Sequence, residues 1–150
     1  MNIVVLLAGD SEDFKENGHL YPKYLLEIKH EPLIQKVIKS LETLGANLNF
    51  IIRKEDNDKF YFGDTLKILS PKSNIITVEN TTKGAVCTAL FAIENINNDK
   101  ELLVVNGDQL IKADIKAIIE DFRSRKLDGG IITFQSVHPK WSYVLLDENN

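Results

Sequence analysis

The sequence predicts an α/β fold, a mostly parallel sheet with helices on both faces. Three observations carry that expectation. Apolar runs of strand length alternate with segments of helical period. The first run, Ile3 to Ala8, is continuous rather than alternating, which is how a strand buried on both faces reads. No repeat, linker or low-complexity tract interrupts the series.

The elements follow in order. Strand one runs from Ile3 to Ala8 and ends at Gly9; residues 9 to 22 are polar and form a loop. Pro32 suits the first position of a helix, Ile34, Val37, Ile38 and Leu41 share one face of it, and Gly45 stops it. Phe50-Ile51-Ile52 is the second strand, residues 55 to 70 hold a weakly periodic helix, and Ile75 to Val78 is the third strand. Gly84 opens a helix in which Val86, Ala89, Leu90 and Ile93 share a face. Leu102 to Val105 is the fourth strand, ending at Asn106-Gly107-Asp108-Gln109. Asp114 caps a helix that carries Ile115, Ile118, Ile119 and Phe122 on one side. Gly129-Gly130 leads into a strand from Ile131 to Phe134, and residues 143 to 146 form a last strand. A turn-like Asp147-Glu148-Asn149-Asn150 follows, so residues 1–150 read as a single domain cut before its next strand.

Size and composition exclude several classes. A chain of 150 residues suffices for one real core and hardly for two. A net charge of -4, with 18 scattered Lys and Arg, offers no basic face for nucleic acid. No apolar run approaches the ~20 residues of a membrane span, and the apolar N-terminus lacks the basic leader of a signal peptide. A lone cysteine, Cys87, cannot form an internal disulfide, so a reducing cytoplasm is the expected compartment. Cys87 is expected in or near the core. His19, His30 and His138 fall in loops or turns and have no metal-ligand spacing.

Open parallel sheets bind ligands beyond the carboxyl ends of their strands. Three segments fall there. Ala8-Gly9 allows a backbone to approach a ligand closely, and Lys23, after Tyr21-Pro22, can neutralise a phosphate. On spacing alone Lys23 reads first as a solvent-exposed lysine after a turn proline, because surface lysines are the norm. Thr81-Thr82-Lys83-Gly84-Ala85 starts a helix whose free N–H groups suit a phosphate or a base carbonyl, or it is ordinary capping by Thr82. Asp108, just past a strand, is a good oxygen ligand for Mg²⁺, or else a turn residue.

In this order the motifs resemble the nucleotidyltransferase family that makes NDP-sugars and related activated alcohols. The stretches that carry the resemblance are Leu6-Leu7-Ala8-Gly9, Tyr21 to Ile28, Pro32-Leu33-Ile34, Thr82-Lys83-Gly84-Ala85 and Val105-Asn106-Gly107-Asp108. It covers nearly the whole chain and corresponds to roughly the first half or more of a full family domain. The resemblance implies a Rossmann-like α/β/α sandwich of the nucleotide-diphospho-sugar transferase type. It implies attack of an acceptor phosphate oxygen on the α-phosphorus of an NTP, with release of pyrophosphate. By position, Leu7, Ala8 and Gly9 would contact the nucleotide, Lys23 would be catalytic, Gly84 would lie against the base, and Asp108 would bind nucleotide and Mg²⁺. Trp141 and Ser142 would shape the acceptor pocket, or form a packing aromatic cluster. The implied partners are an NTP and a phosphorylated small molecule, a sugar or polyol for surface-polysaccharide precursors, with choline or amino-alcohol phosphates left open. Separately, a truncated sheet edge favours self-association.

The chain departs from the family at its signature loop. Gly-x-Gly-x-x-Arg reads here Gly9-Asp10-Ser11-Glu12-Asp13, so Ser11 replaces the second glycine and Asp13 the arginine. Three carboxylates near a polyphosphate need a cation between them, and Lys15 is the nearest in sequence. Two other readings follow: a non-catalytic nucleotide-binding or regulatory module of the same fold, and a glycosyltransferase, which would want an Asp-x-Asp where Asp108-Gln109-Leu110 stands.

Overall fold

The computed structural model describes residues 1–9, 14, 16–139 and 141–146. Asp10, Ser11, Glu12, Asp13 and Lys15 of the loop, and the turn at 147–150, lie outside the described residues. The chain forms two compact units, Met1–Ile115 and Lys116–Asn150.

The first unit is built on a four-stranded parallel sheet in the order β5-β4-β1-β6: β1 is Asn2–Leu7, β4 Asn47–Arg53, β5 Asn74–Val78 and β6 Leu102–Asn106. Every residue of β1 is buried, as its unbroken apolar run predicts. Val4, Leu6 and Ala8 point to one face and join Ile51, Val78 and Ala92 in a core cluster. By strand alternation Ile3, Val5 and Leu7 point to the other face, and they too are fully buried. The sheet is therefore covered on both sides, the Rossmann-like arrangement expected.

Helix α1 (Leu33–Glu42) buries Ile34, Val37, Ile38 and Leu41, the predicted stripe, and Gly45 ends it in the left-handed conformation with its N–H on the Glu42 carbonyl. Ahead of it lies a short hairpin that sequence reasoning missed, β2 (Glu27–Ile28) paired with β3 (Glu31–Pro32). Lys29 and His30 both take positive φ there, the requirement of a tight two-residue turn.

Three expectations need correction. The single helix over 55 to 70 is two helices, α2 (Lys54–Phe60) and α3 (Phe62–Leu69). Tyr61 turns left-handed at φ 53, and the Asn57 side chain accepts the Gly63 N–H at 3.0 Å to start the second. The helix after Gly84 is broken into α4 (Ala85–Ala89), a 3-10 turn (Leu90–Ala92) and α5 (Ile93–Ile96). Its buried face is Thr88, Ala89, Ala92 and Ile96, not the predicted Val86, Leu90 and Ile93, which are 76%, 56% and 45% exposed. Small side chains let this segment lie close on the sheet, and closeness outweighed hydrophobicity. Cys87, expected near the core, is exposed on the same segment.

Helix α6 (Ile115–Ser124), which lies in the second unit from Lys116 on, follows Asp114 as expected. It ends with Lys126 at φ 54 and the Leu127 N–H on the Phe122 carbonyl, a left-handed cap closed by a residue other than glycine. Ile131 to Phe134 and residues 143 to 146 are not strands. No described segment pairs with them, and a strand without a ladder is not stable in water. Ile131 and Leu145 are consequently exposed.

No helix among the described residues is long and apolar enough to cross a membrane.

Candidate functional site

The parallel register brings the ends of β1 and β6 together, Leu6 opposite Asn106. Beyond this pair the chain must turn in little space. Gly107 donates its N–H to the Leu6 carbonyl at 3.0 Å, and a Cβ there would stand 2.0 Å from Leu7 Cδ2. Only glycine fits this approach, and the turn it makes sets Asp108 on the rim.

Lys23 reaches the same rim from the other side. Pro22 starts a 3-10 turn over Lys23–Leu25, with the Leu25 N–H on the Pro22 carbonyl. The Lys23 ammonium lies 2.7 Å from the Asp108 carboxylate, and the lysine side chain is only 15% exposed. The alternative of a solvated lysine is thereby set aside. Tyr24, beside it, is 1% exposed, and its ring stacks on Phe62 at 5.9 Å. Burial, reinforced by the Asp108 carboxylate, pushes the Tyr24 phenol well above its ordinary range, and the Gly9 N–H hydrogen-bonded to its oxygen opposes that rise.

The third wall is the loop before α4. Gly84 sits at φ 140 and ψ 175, which disfavours any side chain. Its carbonyl accepts from the Thr88 N–H at 3.0 Å, from the Thr88 hydroxyl at 3.1 Å and from the Thr82 hydroxyl at 3.2 Å. The two hydroxyls lie 2.5 Å apart. Thr82 therefore clasps the turn through its hydroxyl rather than acting as a simple cap.

Together these walls enclose a cleft of about 520 Å³, lined by Leu6, Ala8, Gly9, Lys23, Tyr24, Thr81, Thr82, Gly84, Ala85, Thr88, Asn106, Asp108 and Gln109. That volume suits a small-molecule ligand. Of the residues expected from sequence, Ala8, Gly9, Lys23, Gly84 and Asp108 converge here. Leu7 does not line the cleft; Leu6 does, because alternation turns Leu7 to the opposite face. Tyr24, Thr88 and Leu6 were missed. The signal for Thr88 was its place one helical turn after Gly84. Trp141 and Ser142 belong to the second unit, where the Trp141 ring meets Phe134 edge-on at 5.2 Å.

Among the described residues no cluster of three His, Cys, Asp or Glu side chains could cage a metal ion. One rim carboxylate, Asp108, does fit a hard cation that takes its remaining oxygens from a bound phosphate.

Fold and cleft define a class: a parallel-sheet α/β domain whose polar, mixed-charge cleft lies at the carboxyl ends of its strands. The profile of the nucleotidyl transferase family matches residues 17–143, and the chain belongs to that family. The bifunctional protein GlmU of Methanococcus aeolicus is 24% identical over 124 residues, 81% of this chain and 28% of that protein. The crystal structure of HddC from Yersinia pseudotuberculosis is similar at a TM-score of 0.60 and 26% identity, over 81% of this chain and 54% of that one. A nucleoside-diphosphate-sugar pyrophosphorylase from Vibrio cholerae RC9 shares the fold at a TM-score of 0.58 and 22% identity, over 77% of this chain and 52% of its own. The chain thus spans about half the length of these structures and less of the curated relative.

Proposed function

We propose that the protein transfers a nucleotidyl group from an NTP to a sugar phosphate or related phosphorylated acceptor, releasing pyrophosphate. The observation that carries this reading is the convergence of Gly9, Lys23, Gly84 and Asp108 on one cleft. The acceptor phosphate oxygen attacks the α-phosphorus, and the bond to the pyrophosphate oxygen breaks. The chain's contribution is to position two anionic groups and to offset the charge that builds between them. Ala8 and Gly9 bring the backbone of the β1 turn to the nucleotide. Gly84, held by Thr82 and Thr88, leaves a flat wall for the base. Lys23 supplies a positive charge to the phosphates. Asp108 would hold a divalent cation, Mg²⁺ in this proposal, whose chemistry when bound is to shield the phosphates' charge. Trp141 and Ser142 are proposed to contact the acceptor. The product, an activated sugar or polyol, is the class of donor that surface-polysaccharide assembly consumes, in a cytoplasmic setting.

The test is pyrophosphate release by the full-length gene product with each of the four NTPs, Mg²⁺ and a panel of sugar phosphates. Turnover with one pair is expected, and none with any pair counts against the reading. A second reading, nucleotide binding without turnover, is favoured by the acidic Gly9-Asp10-Ser11-Glu12-Asp13 sequence. Calorimetry that finds a bound NTP beside a silent turnover assay would select it.

A further inference from the structure

Tyr24 is buried yet lines the cleft, and no role has been given to its hydroxyl. A phenylalanine would fill the same space and stack on Phe62 equally well, so packing alone does not require an oxygen there. The oxygen stands beside Gly9: a Cβ built on that glycine would lie 3.5 Å from the Tyr24 oxygen and 3.7 Å from the Lys23 ammonium. The phenol oxygen thus abuts the Gly9 backbone, whose N–H favours its charged form. The Lys23 ammonium in turn sits 5.4 Å from the centre of the Tyr24 ring, within cation–π range. One side chain therefore touches both the turn after β1 and the lysine. Its own place is fixed by Phe62, itself fully buried at the start of α3.

We propose that Tyr24 is a positioning residue for the nucleotidyl transfer: its hydroxyl pins the Gly9 turn and its ring props Lys23, so that both meet the phosphates in one geometry. This rests on the function proposed above. The physical gain is pre-organisation. A loop amide and a long lysine side chain that are ordered before the nucleotide arrives need not be ordered by it.

Tyr24→Phe tests the proposal, because it keeps the ring and removes the oxygen. Two readouts are needed, on the wild type and the variant in parallel. The first is exchange of the Gly9 amide with solvent, measured by NMR without nucleotide. The second is steady-state kinetics of the full-length gene product with each NTP and Mg²⁺. The expected result is an unchanged thermal midpoint, Gly9 exchange faster by about tenfold, and kcat lower by about tenfold, the loss of one hydrogen bond, with the acceptor KM unmoved. Unchanged Gly9 exchange overturns the proposal whatever the kinetics. Faster exchange with an unchanged kcat overturns the positioning role and leaves only a structural contact. A wild type that neither binds nor turns over any NTP overturns the proposed function itself, and the inference with it.

Discussion

The two ends of the parallel sheet both carry polar residues and use them in opposite ways. At the amino end, Asn2, Asn49 and Asn74 bond inward. Asn49 donates to the Ile3 carbonyl at 3.1 Å, Asn74 donates to the Asn49 side-chain oxygen at 2.9 Å, and Asn2 donates to Asn98 at 3.0 Å. Asn49 is 1% exposed. Asn2 is buried as well, and the polar groups of this end serve to satisfy one another and tie the strands together. At the carboxyl end, Lys23 and Asp108 also pair, but on the rim of an open cleft, with Asn106, Gln109 and the Thr82–Thr88 clasp around it. The difference teaches where to look for function in such a sheet. A polar group bonded into the protein on every side stabilises, whereas one paired across open space can exchange its partner for a ligand.

Substitutions at the two ends should therefore separate stability from activity. The largest effect is expected at Lys23. Lys23→Ala should lower turnover by about 100-fold or more, the scale of losing a transition-state charge partner, with little change in the denaturation midpoint. A rate within a factor of two of the parent would clear Lys23 of the role. Gly107→Ala breaks the comparison from the middle, since its Cβ would collide with buried Leu7 and shift Asp108. It should cost about 1–3 kcal/mol in urea unfolding and weaken Mg²⁺-dependent nucleotide binding together. Either loss without the other would show that the turn does not couple strand end to rim. Asn49→Leu should cost about 1–3 kcal/mol by removing the buried bond to the Ile3 carbonyl, while nucleotide affinity stays the same. A stable Asn49→Leu protein would deny the amino end its structural role.

The smallest effect lies at Glu31, away from both ends. Hydrogen bonds from Lys36 and then Lys39 hold its carboxyl down at about 2, against an ordinary 4.5. A carboxyl lowered by folding stabilises above its ordinary value, and that contribution fades as pH falls from about 4.5 toward 2. The stability gap between wild type and Glu31→Gln should thus be small at pH 7 and vanish near pH 2, because solvent screens an exposed pair. A gap that widens on acidification would reverse the sign of this account.

Much of the sheet and the rim could be read from sequence because each has a local signature. The unbroken Ile3 to Ala8 run, the helical stripe from Ile34 to Leu41 and the small or charged residues that follow each strand are properties of neighbouring positions. The features that escaped depend on distant partners. The face of residues 85–96 was right at Ala89 and wrong at Val86, Leu90 and Ile93, because proximity to the sheet selects Thr88 and Ala92 over larger apolar neighbours. The break at Tyr61 depends on the Asn57 side chain reaching Gly63. Ile131 to Phe134 has strand composition but no described segment to pair with. Tyr24 stands in an apolar stretch, Tyr24-Leu25-Leu26, and only its contacts with Phe62, Gly9 and Lys23 distinguish it.

The comparison of the two ends is tested most directly by mapping amide shifts during a titration with Mg²⁺ and each NTP in turn. The account predicts that perturbations gather at Ala8, Gly9, Lys23, Gly84 and Asp108 and leave Asn2, Asn49 and Asn74 unmoved. Shifts centred on the asparagines, with the Lys23–Asp108 rim silent, would contradict it.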